Sequence, residues 1–246
     1  EKGDPRNITS SPGTHEKYPS WSPDGKFIAF FSDASGEYEL HIKSQDGKGE
    51  PKIIKPEGAG FYAFPEWSPD SKKICYVDNS KSLYLVDVQT EVIKKIDSDA
   101  LYSPGQFRKL ISDWSSDSRW ILYTKVTETF FRVVYLYSVD QNKSFPVSDG
   151  MSDASEPVFD PSGKYLYFFA STDAGPVVNW FDLSNQDMRM TNSIYLVTLQ
   201  KDTLSPFAKE SDEEKIKEEK TEPEKVADKK KKETKSSIPP KSEPAG

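Results

Sequence analysis

The stretch YPSWSPDGKFIAFF, residues 18–31, decides the fold, because it returns three more times in altered form. The later copies are FPEWSPDSKKICYV at 64–77, ISDWSSDSRWILYT at 111–124 and EPVFDPSGKYLYFF at 156–169. Their anchor aromatics, Trp21, Trp67, Trp114 and Phe159, stand 46, 47 and 45 residues apart. A fixed period of this size marks a repeat architecture. In the first copy, Pro23 presets the backbone for a turn, Asp24 can bond its own main chain and Gly25 accepts a positive φ. The run Phe27-Ile28-Ala29-Phe30-Phe31 that follows is aromatic and β-branched, too short for a helix, and bounded by polar residues, so it reads as a strand.

Working outward, each period supplies four strand candidates with no helical periodicity between them, the last of them a weak one at 204–208. Four short antiparallel strands per unit at one fixed interval predict an all-β chain, a partial β-propeller of four-stranded antiparallel blades. A sandwich is the rival, but its strands do not usually repeat one turn at one interval. The predicted blades are about 13–58, 59–104, 105–150 and 151–208, after a remnant at 1–12 in which residues 4–10 resemble the last strand of another blade. Four blades and a remnant make an uncomfortable ring, so the chain reads as a fragment with blades missing before residue 1. On this reading Trp21, Trp67, Trp114 and Phe159 are inter-blade packing, while Asp24, Asp70 and Asp117 are turn formers rather than ligands.

The 246 residues are enough to bury a core, and the formal net charge of −7 argues against a nucleic-acid binder, whose affinity needs clustered Lys and Arg. The sequence has no transmembrane run or signal peptide, so no membrane partner is expected. The lone cysteine, Cys75, lies in an apolar strand and reads as an inert buried thiol, which leaves the redox compartment undetermined.

Two segments break the repeat. The fourth unit inserts DAGPVVNWFDLSNQDMRMTN, residues 173–192, carrying Trp180, Phe181, Met188 and Met190. Such a loop is either a cap over the blade edge or a docking loop for another domain or a substrate chain. Residues 209–246 hold 11 acidic and 11 basic residues, with Ile216, Val226 and Ile238 as the sizeable aliphatics. Too little apolar surface remains to offset the entropy of ordering, which predicts a disordered, charged Lys/Glu/Pro-rich linker.

The search for chemistry is mostly negative. Neither His15 nor His41 forms a nucleophile arrangement by spacing, and phosphate-cradling, zinc-protease and nucleophile-elbow motifs are missing. Asp97-Ser98-Asp99 opens like a calcium loop but lacks the later glycine and glutamate. The expectation is therefore no catalytic residue, no cofactor and no metal in this chain, which reads as a binding or gating module.

The WSPDGK repeat at 21–26, echoed at 67–72, resembles the propeller repeat shared by the TolB family, the tricorn proteases and the propellers of prolyl-oligopeptidase-type enzymes. Residues 171–199, followed by Ser205-Pro206-Phe207 and an acidic run, resemble the end of the first, N-terminal propeller of bacterial tricorn-like proteases. That resemblance implies a serine peptidase whose catalytic residues lie in domains downstream of the linker, with this chain gating or channelling peptides. It further implies peptide substrates or products and downstream domains of the same polypeptide as partners, leaves homo-oligomerisation open, and suggests a cytoplasmic location with a periplasmic one as alternative. A TolB-like protein-binding scaffold and an oligopeptidase propeller remain the other readings.

Overall fold

A computed structural model describes residues 7–58, 60–100, 107–172 and 191–208. The first sheet takes β1 (Glu16–Trp21), β2 (Phe27–Ser32), β3 (Glu39–Ser44) and β4 (Lys52–Ile54) in chain order. The second takes β5 (Tyr62–Trp67), β6 (Lys73–Asp78), β7 (Ser82–Asp87) and β8 (Ile93–Ser98), again as consecutive neighbours. The third holds β9 (Ile111–Trp114), β10 (Trp120–Val126), β11 (Arg132–Ser138) and β12 (Lys143–Pro146). The fourth has, among the described residues, three strands, β13 (Asp153–Phe159), β14 (Tyr165–Ser171) and β15 (Ser193–Thr198). Every pairing is antiparallel.

Alternation along these strands explains how the sheets stack. In the second sheet, Trp67, Ile74, Tyr76, Tyr84 and Val86 pack with Ala29, Phe31, Leu40 and Ile42 of the first. The opposite face, with Cys75, Val77, Leu83 and Leu85, packs with Ile111, Trp114, Ile121 and Tyr123 of the third. Leu122 and Val134 of the third sheet then meet Ala154, Leu166 and Phe168 of the fourth. A sandwich layer has one buried face, whereas these middle sheets bury both against different neighbours in chain order, which is the packing of successive propeller blades.

Two expectations need correction. Residues 204–208 form no strand: Thr203 N–H closes a turn onto Gln200 O (3.1 Å), and Pro206 cannot donate to a ladder. Residues 7–10 are likewise not a strand, because the Asn7 side chain accepts from the N–H groups of Thr9 (3.1 Å) and Ser10 (2.9 Å) and curls the chain. The linker at 209–246 and the inserted loop's Trp180, Phe181, Met188 and Met190 lie outside the described residues.

Candidate functional site

The repeated turn is held by side chains of its own. The Ser22 hydroxyl donates to Asp24 Oδ1 (2.6 Å) and accepts from Phe27 N–H (2.9 Å), while Asp24 Oδ1 also accepts from Lys26 N–H (3.1 Å). Ser68 with Asp70, and Ser115 with Asp117, repeat the arrangement at matching distances. In the fourth unit the two residues exchange places: Asp160 stands where the serine was, and Ser162 donates to it. Asp24 is held below the usual carboxylate range by the Ser22 hydroxyl and Lys26, and Asp117 by the Ser115 hydroxyl and Arg119. At Asp70 partial burial opposes ionisation and is outweighed by Ser68, Lys72 and Lys73. All three aspartates are thus engaged in their own turns.

The anchor aromatics divide. Trp67 and Trp114 are buried, and Trp67 Nε1 donates across the blade boundary to Ser20 O (3.1 Å). Phe159 is half-buried against the third sheet, whereas Trp21 is 58% exposed. Inter-blade packing therefore describes three of the four.

Other boundary links escaped the sequence reading. Asp97 accepts from Tyr123 (2.9 Å) and Lys125 (2.8 Å) of the third sheet, and the buried Asp99 carboxylate pairs with Arg108. The false start of a calcium loop is thus a pair of inter-blade anchors. Arg132 forks onto the buried Asp153 at 2.6 and 3.0 Å, joining the third sheet to the fourth. A cross-strand ring pair also recurs in each sheet: Phe30 with His41, Tyr76 with Tyr84, Tyr123 with Tyr135 and Phe168 with Tyr195, at 5.1 to 5.6 Å. Its signal was visible, an aromatic nine residues after each anchor.

One candidate surface is the edge made by the first strand of each sheet. β1 lies beside β5, and β9 beside β13. Three of these strands carry a bulge at an X-Pro pair, with positive φ at Tyr18 (54°), Phe64 (55°) and Glu156 (50°) ahead of Pro19, Pro65 and Pro157. Proline has no N–H to donate, so these bulges interrupt the edge and aim the preceding side chain away from the regular pleat. A left-handed conformation at bulky residues costs about 1–2 kcal/mol each and persists only where packing holds it. Here it brings the Tyr18 and Phe64 rings to 5.3 Å, with Phe107 edge-on to Tyr18 at 6.3 Å, all three half-buried. Lys109 pairs with Glu66 at 2.5 Å beside this cluster. Further along, Arg108, Lys109, Arg132, Glu156 and Pro157 line an open cleft of about 360 Å³.

Among the described residues this surface presents rings, proline and paired charges. His15 Nδ1 lies 3.3 Å from the Tyr38 hydroxyl, and His41 is buried with Nε2 unpartnered. Among the described residues, three or more His, Cys, Asp or Glu side chains gather nowhere in a form that could hold a metal ion. No helix among them is long and apolar enough to cross a membrane.

Comparison with known proteins follows the same line. No curated protein matches the sequence. The crystal structure of the tricorn protease superposes with a TM-score of 0.61 at 17% identity, covering 78% of this chain and 18% of that one. An oligogalacturonate lyase in complex with manganese gives 0.50 at 15% identity over 76% of this chain and 53% of the other. A putative TolB from Agrobacterium tumefaciens gives 0.47 at 18% identity over 75% and 58%. The chain thus spans less than a fifth of the solved tricorn protease, and at these identities the likeness is one of fold. A family model, the tricorn protease second beta propeller domain, matches residues 1–243. The likeness of residues 171–199 and the charged run after them had pointed to the end of the first propeller, whereas the family model is that of the second. With the match running over nearly the whole length, the chain belongs to the family of the tricorn protease second β-propeller domain.

Proposed function

We propose that this chain is a non-catalytic part of a propeller in a tricorn-type serine peptidase, where it gates or channels peptides toward a protease domain elsewhere in the polypeptide. The observation that carries the reading is the ring cluster of Tyr18, Phe64 and Phe107 on the bulged edge strands. Aromatic faces contact apolar and cationic side chains alike, which suits a passage that must accept many sequences. The prolines at 19, 65 and 157 remove donors from the edges, so a passing peptide is not captured as an added strand. Weak, non-directional contact favours transit over retention.

Its partners on this reading are peptide substrates or products and the catalytic domains of the same polypeptide, in the cytoplasm. The test uses the full-length protein that carries this chain, assayed with short and long fluorogenic peptides. Tyr18→Ala with Phe64→Ala should change kcat/KM for the long peptide by about fivefold relative to the short one, with the melting transition followed as a control on folding. An unchanged ratio in a folded variant defeats the proposal. So does turnover of either peptide by residues 1–246 alone.

A further inference from the structure

The boundaries between successive sheets share a set of links, and the third boundary lacks two of them. At the turn end, Ser71 Oγ accepts from Asp24 N–H (3.1 Å) across the first boundary, and Ser118 Oγ accepts from Asp70 N–H (3.0 Å) across the second. On the outer side, Lys52 of β4 reaches Val88 O (2.6 Å) and Glu91 (3.0 Å), and Asp97 of β8 holds Tyr123 and Lys125. At the third boundary Gly163 takes the serine's place and has no hydroxyl to offer. Among the described residues, no link of the outer kind runs from β12 to the fourth sheet. The first sheet also has one described neighbour and keeps both links, so an end position does not account for the difference.

What the third boundary keeps lies along one strand. Arg132 forks onto Asp153, the first residue of β13, at 2.6 and 3.0 Å, and Asp113 Oδ2 accepts from the N–H of Phe159, its last, at 2.9 Å. Outside that line a cleft of about 440 Å³ opens between the sheets, walled by Asp117, Trp120, Leu136, Phe159, Gly163 and Leu199. Leu136, Phe159 and Leu199 are half-buried there, whereas the other two boundaries are closed by the buried Trp67 and Trp114. Wall atoms that face a gap forfeit dispersion contacts, so parting the sheets on this side breaks fewer interactions than at the other two boundaries.

We propose that the fourth sheet is a hinged leaf: β13 stays fastened to the third sheet at both ends, while β14 and β15 swing outward about it and widen the cleft. Gly163 is the missing latch. The position can accept one, because its φ of 69° is close to the 59° and 61° of Ser71 and Ser118, and an added Cβ would meet nothing within 4 Å. A serine there would stand to Asp117 N–H as Ser71 stands to Asp24 and Ser118 to Asp70.

The test is thiol labelling of the full 246-residue chain. Val134→Cys puts a thiol of similar size on the third sheet's face toward the fourth, while Cys75 reports on the boundary between the second and third. Both positions are fully buried, so each reacts only when its own boundary opens. Mass mapping of the labelled chain should show position 134 reacting about tenfold faster than Cys75 under native conditions. Adding Gly163→Ser should slow position 134 about fivefold relative to Gly163→Ala, which makes the same backbone demand without a hydroxyl, and should leave Cys75 unchanged. If Val134→Cys loses the parent's melting transition, Ala170→Cys, buried on the facing surface of β14, takes its place in the same comparison. The proposal is overturned if the two thiols react at one rate in a folded variant, if serine and alanine at position 163 give the same rate, or if serine slows both sites equally.

Discussion

At the scale of single residues, the departures from the repeat are informative. The turn's last position is Gly25 and Gly163 in two units but Ser71 and Ser118 in the others, all with φ between 59° and 72°. Serine there is strained, yet Ser71 Oγ accepts from Asp24 N–H (3.1 Å) and Ser118 Oγ from Asp70 N–H (3.0 Å), each reaching back to the preceding blade. Ser71→Ala keeps the strain and loses the bond, so it should cost about 1 kcal/mol in urea unfolding. Ser71→Gly loses the bond but relieves the backbone, and should come out within about 0.5 kcal/mol of the parent.

Titration supplies a second residue-level expectation. Asp24, Asp70 and Asp117 have depressed pKa values in the folded chain, so their contribution to stability is complete above the unfolded value of about 4 and is lost as pH falls through the folded values. Replacing all three with Asn should flatten the acid limb of a stability-versus-pH curve below about pH 4. His41 is also lowered, by burial first. The unfolded chain then binds the proton more readily, and stability falls as pH drops below about 6.5. His41→Phe keeps the ring against Phe30 and removes the unpartnered Nε2, so it should raise stability by about 1 kcal/mol at pH 7 and abolish the His41-dependent slope below 6.5.

At the scale of elements, the boundary between sheets is where energy concentrates. Trp67→Ala empties a buried site and removes the bond to Ser20, a loss of about 3–5 kcal/mol, while Trp21→Ala, at the same place in the repeat, should stay within about 0.5 kcal/mol by denaturant titration. Equal costs would show that position in the repeat, rather than burial, sets the contribution. Arg132→Met should be nearly as harmful as Trp67→Ala, about 3 kcal/mol, because the Asp153 carboxylate is left buried without its charged partner, keeping only the main-chain N–H of residue 132 (2.8 Å). The period and the turn chemistry made the strands of the first three units legible, since alternation of apolar residues is a local signal. Bulges at Tyr18, Phe64 and Glu156 were not, although X-Pro stood at each, because a positive φ ahead of proline depends on the packing that enforces it.

At the scale of the whole molecule, cooperative unfolding has a built-in reporter. Cys75 is fully buried between the second and third sheets, and burial raises its thiol pKa well above the usual value. A thiol reagent should leave the native chain unlabelled and react at the rate of opening of that interface, with rapid labelling of native protein counting against the packing described.

Sequence by itself determined the all-β class, the repeating hairpin, the order of strands within each sheet and the absence of a recognisable catalytic motif. These follow from periodicities of two and of about 46 residues, which any chain with this spacing must carry. Tertiary structure alone decided that Trp21 is exposed while Trp67 is buried, that Asp97 and Asp99 tie two sheets together, and that Arg132 and Asp153 join the third sheet to the fourth. Each of those depends on which surface arrives next to it across 20 to 100 residues of chain, on the order of loop-closure distances that local pattern does not encode.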